Sequence, residues 1–391
     1  MAVVYSVLAA CREGYIFMVK NCSVVRSGSC RDFAKKVFFP LIICRDAFRR
    51  FAKAKIIKRK VTALILKVYR PWVLLEFNYR VFKAASLGSY DIFHAHDLNT
   101  LMGAYAAAKQ HGAELIYDSH ELYLERNRYE PYKPLGKWVR KRLEAFLIRR
   151  ATNVITVNES IAKYLSRAYR IKRPVVVMNV PDLRPAQNKA EARFSLRRSL
   201  GIADDYRLLL YSGAITYNRG LEKLICALAQ LPQCFLVMMG YGNDVYKESL
   251  LKLAEQQGVI KRCRFFGPVP SEQVTSYADS ADIGIAPIEN ACLSYYYCSP
   301  NKLFEYILAG LPVVASNFPE MAAIINEFEV GALFDPDDPD AIAAAVRQIF
   351  ASPGLFDTMK EKAQIIPQRY SWAQESQKLL GVYRAIRTNG D

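Results

Sequence analysis

From Tyr90 onward, short apolar runs that end in polar residues alternate with segments of helical period, and few folds accept that alternation. Asp91-Ile92-Phe93-His94-Ala95-His96-Asp97 reads as a strand, Leu98 to His111 as a helix, and Glu114-Leu115-Ile116-Tyr117-Asp118-Ser119-His120-Glu121 as a strand with the same polar end. Helices over Leu135 to Arg150 and Glu159 to Tyr169 and strands at Asn153 to Val157 and Val175 to Val180 continue the series. A polar, aperiodic stretch from Leu183 to Arg197 interrupts it. Strands are then expected at Arg207 to Gly213, Phe235 to Met239, Arg264 to Phe266, Ile283 to Pro287, Pro312 to Ala315 and Ala332 to Phe334, separated by helices. Such a series builds a parallel sheet with helices on both faces and a ligand crevice at the carboxyl ends of its strands. At 391 residues the chain exceeds one ordinary core, so two such domains are expected, 1–183 and 184–370. The first 90 residues are the least legible. There Ala2 to Ala9 is read as an opening strand, since the run up to Cys11 lacks the basic start of a signal segment.

The densest chemistry lies between Tyr297 and Ser316, Y-C-S-P-N-K-L-F-E-Y-I-L-A-G-L-P-V-V-A-S. Ser299-Pro300 is a helix-opening pair, with a hydroxyl for capping and a proline in the first turn. Leu303, Phe304, Ile307 and Leu308 recur at helical spacing, and Gly310 stops the helix before a buried strand. Free backbone N–H groups at Asn301 and Lys302, together with the Lys302 ammonium, favour an anion, most simply a phosphate. Glu305, one turn along, offers a carboxylate to sugar hydroxyls. An ordinary capped helix is the competing reading. Gly213-Ala214-Ile215-Thr216-Tyr217-Asn218-Arg219-Gly220 also joins a strand to a helix, and Arg219 could hold a diphosphate or be a surface cation. Gly240 and Gly242 after the next strand, and Gly267 after the third, fall on the same side of the sheet.

His94, His96, Asp97, His120 and Glu121 at strand ends invite a zinc reading. Sugar-binding and acceptor-side roles compete with it for His120, His96 and Asp97, and a packed or surface role for His94. Asp335-Pro336-Asp337, formally a D-x-D, precedes the Ala-rich helix 341–350 and is read as helix capping, with no metal expected.

Nine cysteines without C-x-x-C pairs suggest buried free thiols of a reducing, cytoplasmic compartment. No apolar run approaches a membrane span. Of the net +17, residues 1–90 carry +14, as 18 Lys and Arg against 4 Asp and Glu. The densest part, Arg45 to Lys60, interleaves cations with Phe48, Phe51, Ile56 and Ile57. A solvated helix face and an anionic membrane surface contacted through residues 31–60 are both open readings. A nucleic-acid partner is not expected, because no recognised module accompanies the charge.

The 297–316 segment resembles the donor-site segment of the family 4 glycosyltransferases, retaining enzymes of the GT-B fold. Glu305 matches the second of that family's two glutamates, and A-G-L-P-V-V-A-S matches the tail that follows. Tyr297 stands where the first would be, as in a subgroup reading S-P-N-K-L-F-E-Y. In the family's G-R and K-G pair, Arg219 fits the second cation and Ala214 replaces the first, so that Lys302 takes over its part. The resemblance runs from about Tyr90 to the end of the chain and implies two Rossmann-like domains facing across a cleft. It also implies that Ala373 to Arg387 forms a helix crossing back onto the N-terminal domain, completing it with 371–391. It further implies a hexose transferred with retention from a nucleotide-diphosphate sugar to a glycan or lipid-linked acceptor, in surface polysaccharide or glycoconjugate biosynthesis. Catalytic roles fall to His120, Arg219 and Lys302. Donor contacts fall to Gly213, Arg219, Gly240, Gly242, Gly267, Ser299, Asn301, Lys302 and Glu305, and acceptor contacts to His96 and Asp97. A nucleotide-sugar 2-epimerase on the same fold and a scaffold without turnover are the alternatives.

Overall fold

The computed structural model describes residues 16–20, 23–26, 73–128, 130–180, 195–351, 354, 358, 361–362 and 370–388. The opening strand expected at Ala2 to Ala9, the basic 31–60 segment and the junction near 183 lie outside the described residues.

Two six-stranded sheets organise the chain. The first runs β2-β1-β3-β4-β5-β6, from β1 (Ile16–Lys20), β2 (Ser23–Arg26), β3 (Ile92–His96), β4 (Glu114–Ser119), β5 (Asn153–Thr156) and β6 (Val175–Val176). Strands β3 to β6 are parallel, whereas β1 pairs antiparallel with both β2 and β3, so this sheet opens with a hairpin that the alternation from Tyr90 does not foretell. The strand expected through Val180 shortens to β6, and Val177 N then donates to Thr156 O at 2.8 Å. Helical backbone at 73–85 (α1) precedes β3. Helices α2 (Asp97–His111), α3 (Pro134–Ile148) and α4 (Glu159–Tyr169) connect the parallel strands.

The second sheet is parallel throughout, in the order β12-β11-β10-β7-β8-β9. Its strands are β7 (Arg207–Ser212), β8 (Cys234–Met239), β9 (Cys263–Phe266), β10 (Ile283–Ala286), β11 (Val313–Ser316) and β12 (Gly331–Phe334), each within a residue or so of the expected bounds. Doubly covered strands must be apolar on both faces, which is why Leu208-Leu209-Leu210-Tyr211 needs no alternation. The order reverses between β7 and β10, and a crevice opens there at the strands' carboxyl ends.

Helix α10 (Asn301–Leu308, after α5 to α9 at Leu196–Leu200, Leu221–Ala229, Asp244–Gln256, Val274–Ala278 and Leu293–Tyr296) fills one wall of that crevice. Its Leu303, Phe304 and Ile307 are fully buried, contributing about 1.5–3 kcal/mol each. The cap differs from expectation. Pro300 itself occupies the N-cap position with no side-chain hydrogen bond, so the Ser299 hydroxyl is free for another partner. Helices α11 (Pro319–Phe328) and α12 (Pro339–Phe350) follow. The cap of α12 is Asp338, which accepts from Asp340 N at 2.9 Å, one residue past the 335–337 triplet; Asp335 accepts from Asp337 N at 3.0 Å within the loop, and Asp337 pairs with Lys223.

Helix α13 (Trp372–Thr388) returns to the first domain. Trp372, Leu379, Val382 and Ile386 close over Ile92, Ile116 and Ile155 of β3, β4 and β5. Glu375, buried among them, accepts from Met178 N at 2.8 Å and from Lys378 at 2.6 Å. The architecture is two Rossmann-like domains with a helix crossing back, the GT-B arrangement.

Candidate active site

The crevice floor is made by backbone packed on backbone. Gly213 N donates to Met239 O at 2.9 Å, and a Cβ on Gly240 would lie 1.9 Å from Gly213 O. A Cβ on Gly242 would meet Ile215 O at 2.6 Å, so Gly213, Gly240 and Gly242 are brought together and side chains are excluded between these loops. Gly267, one strand further out, faces open space.

Lys302 projects into this floor. Its ammonium lies 3.6 Å from the centroid of the Tyr211 ring, and a Cβ on Gly213 would be 3.3 Å from Nζ. The residue is 8% exposed, yet Nζ has no hydrogen-bond partner among the described residues. Burial, then the charge of Arg219, holds its pKa well below the ordinary lysine value. Arg219 lies over the Tyr295 ring at 4.7 Å, and its Nε is likewise buried without a partner. Two basic side chains with unmet donors face one recess, an arrangement that can take up an anion, since leaving such groups unpaired costs several kcal/mol. Tyr306 fixes the geometry by accepting from Ser212 N at 2.7 Å and Ser212 Oγ at 3.2 Å, which pins α10 to the end of β7. Gly284 leaves the room for that ring, with its Cβ position 2.2 Å from Tyr306 Cγ. The apolar reading of the helix passes over Tyr306; a tyrosine one residue after Glu305 was the available signal.

On the facing domain, Asp118 Oδ2 receives three imidazoles, His94 at 3.3 Å, His96 at 3.4 Å and His120 at 3.2 Å. His94 Nδ1 continues to Tyr383 Oη at 2.6 Å, on the crossing helix, and His96 Nδ1 lies 3.0 Å from His120 Nε2. His94 and His96 are fully buried and stacked, so His96 is not the cleft-wall residue expected: the inward side of β3 carries it into the core. Burial, with the neighbouring His94, lowers the His96 pKa to about 4. For His120 burial works against the charge, but Asp118, Asp97 and Glu121 outweigh it and raise the pKa to about 9. The ring is therefore charged at neutral pH, and both its nitrogens are donors. Its Nδ1 has no hydrogen-bond partner among the described residues.

Asp97 stays at the rim. Its backbone is left-handed (φ 59°), its Oδ1 accepts from His120 N at 3.2 Å, and burial raises its pKa to about 6. Donor atoms of His94, His96 and Asp118 lie within 4.8 Å of one another, close enough to converge on a cation, while their hydrogen bonds already engage them with each other. Glu121 turns away to Arg126 at 3.2 Å.

Amide side chains join the domains across the cleft. Asn158 Nδ2 donates to Tyr297 O at 2.7 Å and to Ser299 Oγ at 3.3 Å, while its Oδ1 caps α4 by accepting from Ile161 N. Asn179 donates to Asn301 Oδ1 at 3.1 Å, and Asn218 to Asn127 Oδ1 at 3.1 Å. Tyr297, where a carboxylate would stand, packs against the hydrophobic core of the first domain. Sequence reading missed Asn158 and Asn179, because an asparagine at a strand end reads as a turn.

Comparison with known proteins agrees with this architecture. The Glycosyltransferase Family 4 model matches residues 30–181, and the Glycosyl transferases group 1 model matches residues 192–366. An uncharacterized glycosyltransferase of Methanocaldococcus jannaschii is 26% identical over 304 residues, 75% of each chain. The D-inositol 3-phosphate glycosyltransferase of Xylanimonas cellulosilytica is 26% identical over 329 residues, 80% of this chain and 77% of its own. Among solved structures, sucrose-phosphate synthase from Thermosynechococcus elongatus superposes with a TM-score of 0.65 at 21% identity, over 83% of this chain and 79% of its own. Anabaena HepE, solved with UDP and glucose, gives 0.64 at 19% identity, over 79% and 81%. With consecutive models covering both domains and the GT-B architecture, the chain is a glycosyltransferase of the group 1, family 4 type.

Proposed function

We propose that the protein moves a hexose from a nucleotide-diphosphate sugar to a glycan or lipid-linked acceptor, with retention and without a metal, in surface polysaccharide or glycoconjugate biosynthesis. The observation that carries this is the buried, unpartnered Lys302 Nζ beside Arg219 at the topological switch point. In this reading residues 184–370 hold the donor and 1–183, completed by 371–391, the acceptor. Lys302, Arg219 and the N–H groups at Asn301 and Lys302 receive the charge that grows on the diphosphate as the glycosidic bond breaks. Glu305 binds the ribose hydroxyls and Ser299 closes the helix start over the phosphates. The loops at Gly240, Gly242 and Gly267 border the nucleotide. Charged His120 donates to the sugar ring, and Asp97 at the rim meets the acceptor. The acceptor's proton passes to the departing phosphate on the same face of the sugar.

HepE, solved in complex with UDP-glucose, supports a uridine donor for a first trial. The protein works in the cytoplasm, at the membrane face through residues 31–60. A panel of nucleotide sugars in thermal-shift assays identifies the donor, since a ligand at about 100 times its Kd adds roughly 2.7 kcal/mol. NMR of the product of transfer then reads the anomeric configuration. Inversion, or epimerisation of free donor without an acceptor, would overturn the proposal.

A further inference from the structure

Helix α3 presents to solvent the kind of face that helices ordinarily bury. Leu135, Trp138, Val139 and Phe146 are exposed at 73%, 56%, 51% and 45%. Helical spacing sets all four on one stripe, with Arg142 among them and Arg149, whose Nε donates to Tyr169 O at 2.8 Å, at its C-terminal end. The helix cannot roll to cover that stripe. Its opposite side is held by buried Glu144, which accepts from Tyr117 Oη at 3.1 Å and Tyr169 Oη at 2.6 Å, and by Leu147 and Ile148 in the core. Arginines lie on the aromatic rings, Arg142 over Trp138 at 5.2 Å and Arg150 over Phe146 at 3.5 Å. From Lys133 to Arg150 there are seven Lys and Arg and one acid, the buried Glu144. An exposed apolar stripe threaded with arginine, of this kind, marks a contact surface.

Charge selects the occupant. A second copy of the same face would bring Arg142, Arg149 and Arg150 against their own equivalents, which like-charge repulsion opposes. An anionic bilayer suits every component: guanidinium groups meet phosphates, while tryptophan, phenylalanine and leucine enter the interfacial layer beneath. We propose that the outer face of α3 docks on an anionic membrane surface. The site's placement gives the contact a use. Lys137 in the first turn of α3 pairs with Glu125 at 2.7 Å, in the loop that leaves His120, so the docked end of α3 lies on the cleft side of the domain. Docking there holds the cleft mouth at the headgroup layer. This deepens the membrane reading above by naming a second surface, and docking itself does not depend on the transfer reaction.

The test uses the full chain and vesicles of phosphatidylcholine with and without phosphatidylglycerol. The protein is expected to co-sediment only with the phosphatidylglycerol vesicles. Brominated lipid is expected to quench a component of tryptophan emission that Trp138→Phe removes. Arg142→Glu with Arg149→Glu should weaken partitioning by more than about tenfold, since each cation near such a surface contributes about fivefold. Trp138→Ala with Phe146→Ala should weaken it further in high salt, where the electrostatic share is screened. UDP-induced thermal shifts are read in every variant; intact shifts show a folded donor site, and their absence in the wild type bears on the donor reading alone. Undiminished vesicle binding in both double variants overturns the proposal and returns docking to residues 31–60. Equal binding to neutral vesicles overturns it too, as does self-association that both double variants abolish, which would assign the face to a second copy.

Discussion

Asp118→Asn isolates the group that keeps His120 charged. The ring's pKa of about 9 against an ordinary 6.5 corresponds to roughly 3 kcal/mol in favour of the imidazolium, and Asp118 is its principal source. Without that carboxylate, burial dominates and the pKa falls to about 6.5 or lower. At pH 7.5 the charged fraction would then drop from about 97% to about 10%, and a reaction needing the imidazolium would slow about tenfold. The loss should be recovered near pH 5.5. Two measurements check this: kcat/KM from pH 5 to 10, and imidazole proton shifts, which are tractable with four histidines in the chain. A falling limb that stays near pH 9 in the variant, or a wild-type His120 resonance titrating near 6.5, would refute the assignment. The same pair sets a stability window. The raised His120 value contributes stability that is complete below about pH 6.5 and is lost as pH rises through about 9. Asp118, held well below the ordinary carboxylate range by His120 and its fellow imidazoles against the opposing effect of burial, contributes above that range and fails in acid.

Lys302→Met should raise the melting temperature of the ligand-free protein, by the equivalent of about 1–2 kcal/mol, while lowering kcat by at least about a hundredfold; a variant with wild-type turnover would remove Lys302 from the mechanism. Because burial and Arg219 depress the Lys302 pKa, UDP binding should take up protons and weaken as pH rises above the value of the free site, which calorimetry in buffers of differing ionisation enthalpy will detect. Gly240→Ala, with φ 148° and Gly213 O in the path of its Cβ, should cost more than about 2 kcal/mol in urea melts, whereas Gly267→Ala should cost little. EDTA should leave transfer unchanged; activity lost on chelation and restored by manganese would place the His94, His96 and Asp118 cluster, or another site, in the chemistry.

The second domain was legible almost strand by strand, because buried parallel strands such as Leu208-Leu209-Leu210-Tyr211 are apolar runs bounded by polar residues and glycine. The first domain was legible only from β3. Its opening hairpin, Ile16–Lys20 and Ser23–Arg26, has strands of five and four residues without alternation, too short for a periodic signal. Among the site residues, Lys302, Arg219 and the glycines at 213, 240 and 242 lie together at the carboxyl ends of the second sheet, where strand ends and helix starts can be located from the sequence. His96 was not legible in this way, because both faces of β3 are covered, so the alternation in Ile-Phe-His-Ala-His places His94 and His96 on one face without showing that the face is buried. Asp118 escaped for a related reason: a carboxylate among three imidazoles is recognisable only when β3 and β4 are paired in register.

The crossing helix has a consequence for the order in which the protein is made. The core of the first sheet is completed by Trp372, Leu379, Val382 and Ile386, which leave the ribosome about two hundred residues after β5. At about 5–20 residues per second, Ile92, Ile116 and Ile155 wait roughly ten to sixty seconds for their cover. During that interval the domain synthesised first has an open apolar face, while the domain synthesised second already holds every strand of its own sheet. Chaperone occupancy on nascent chains should therefore persist on the earlier half until the final helix emerges.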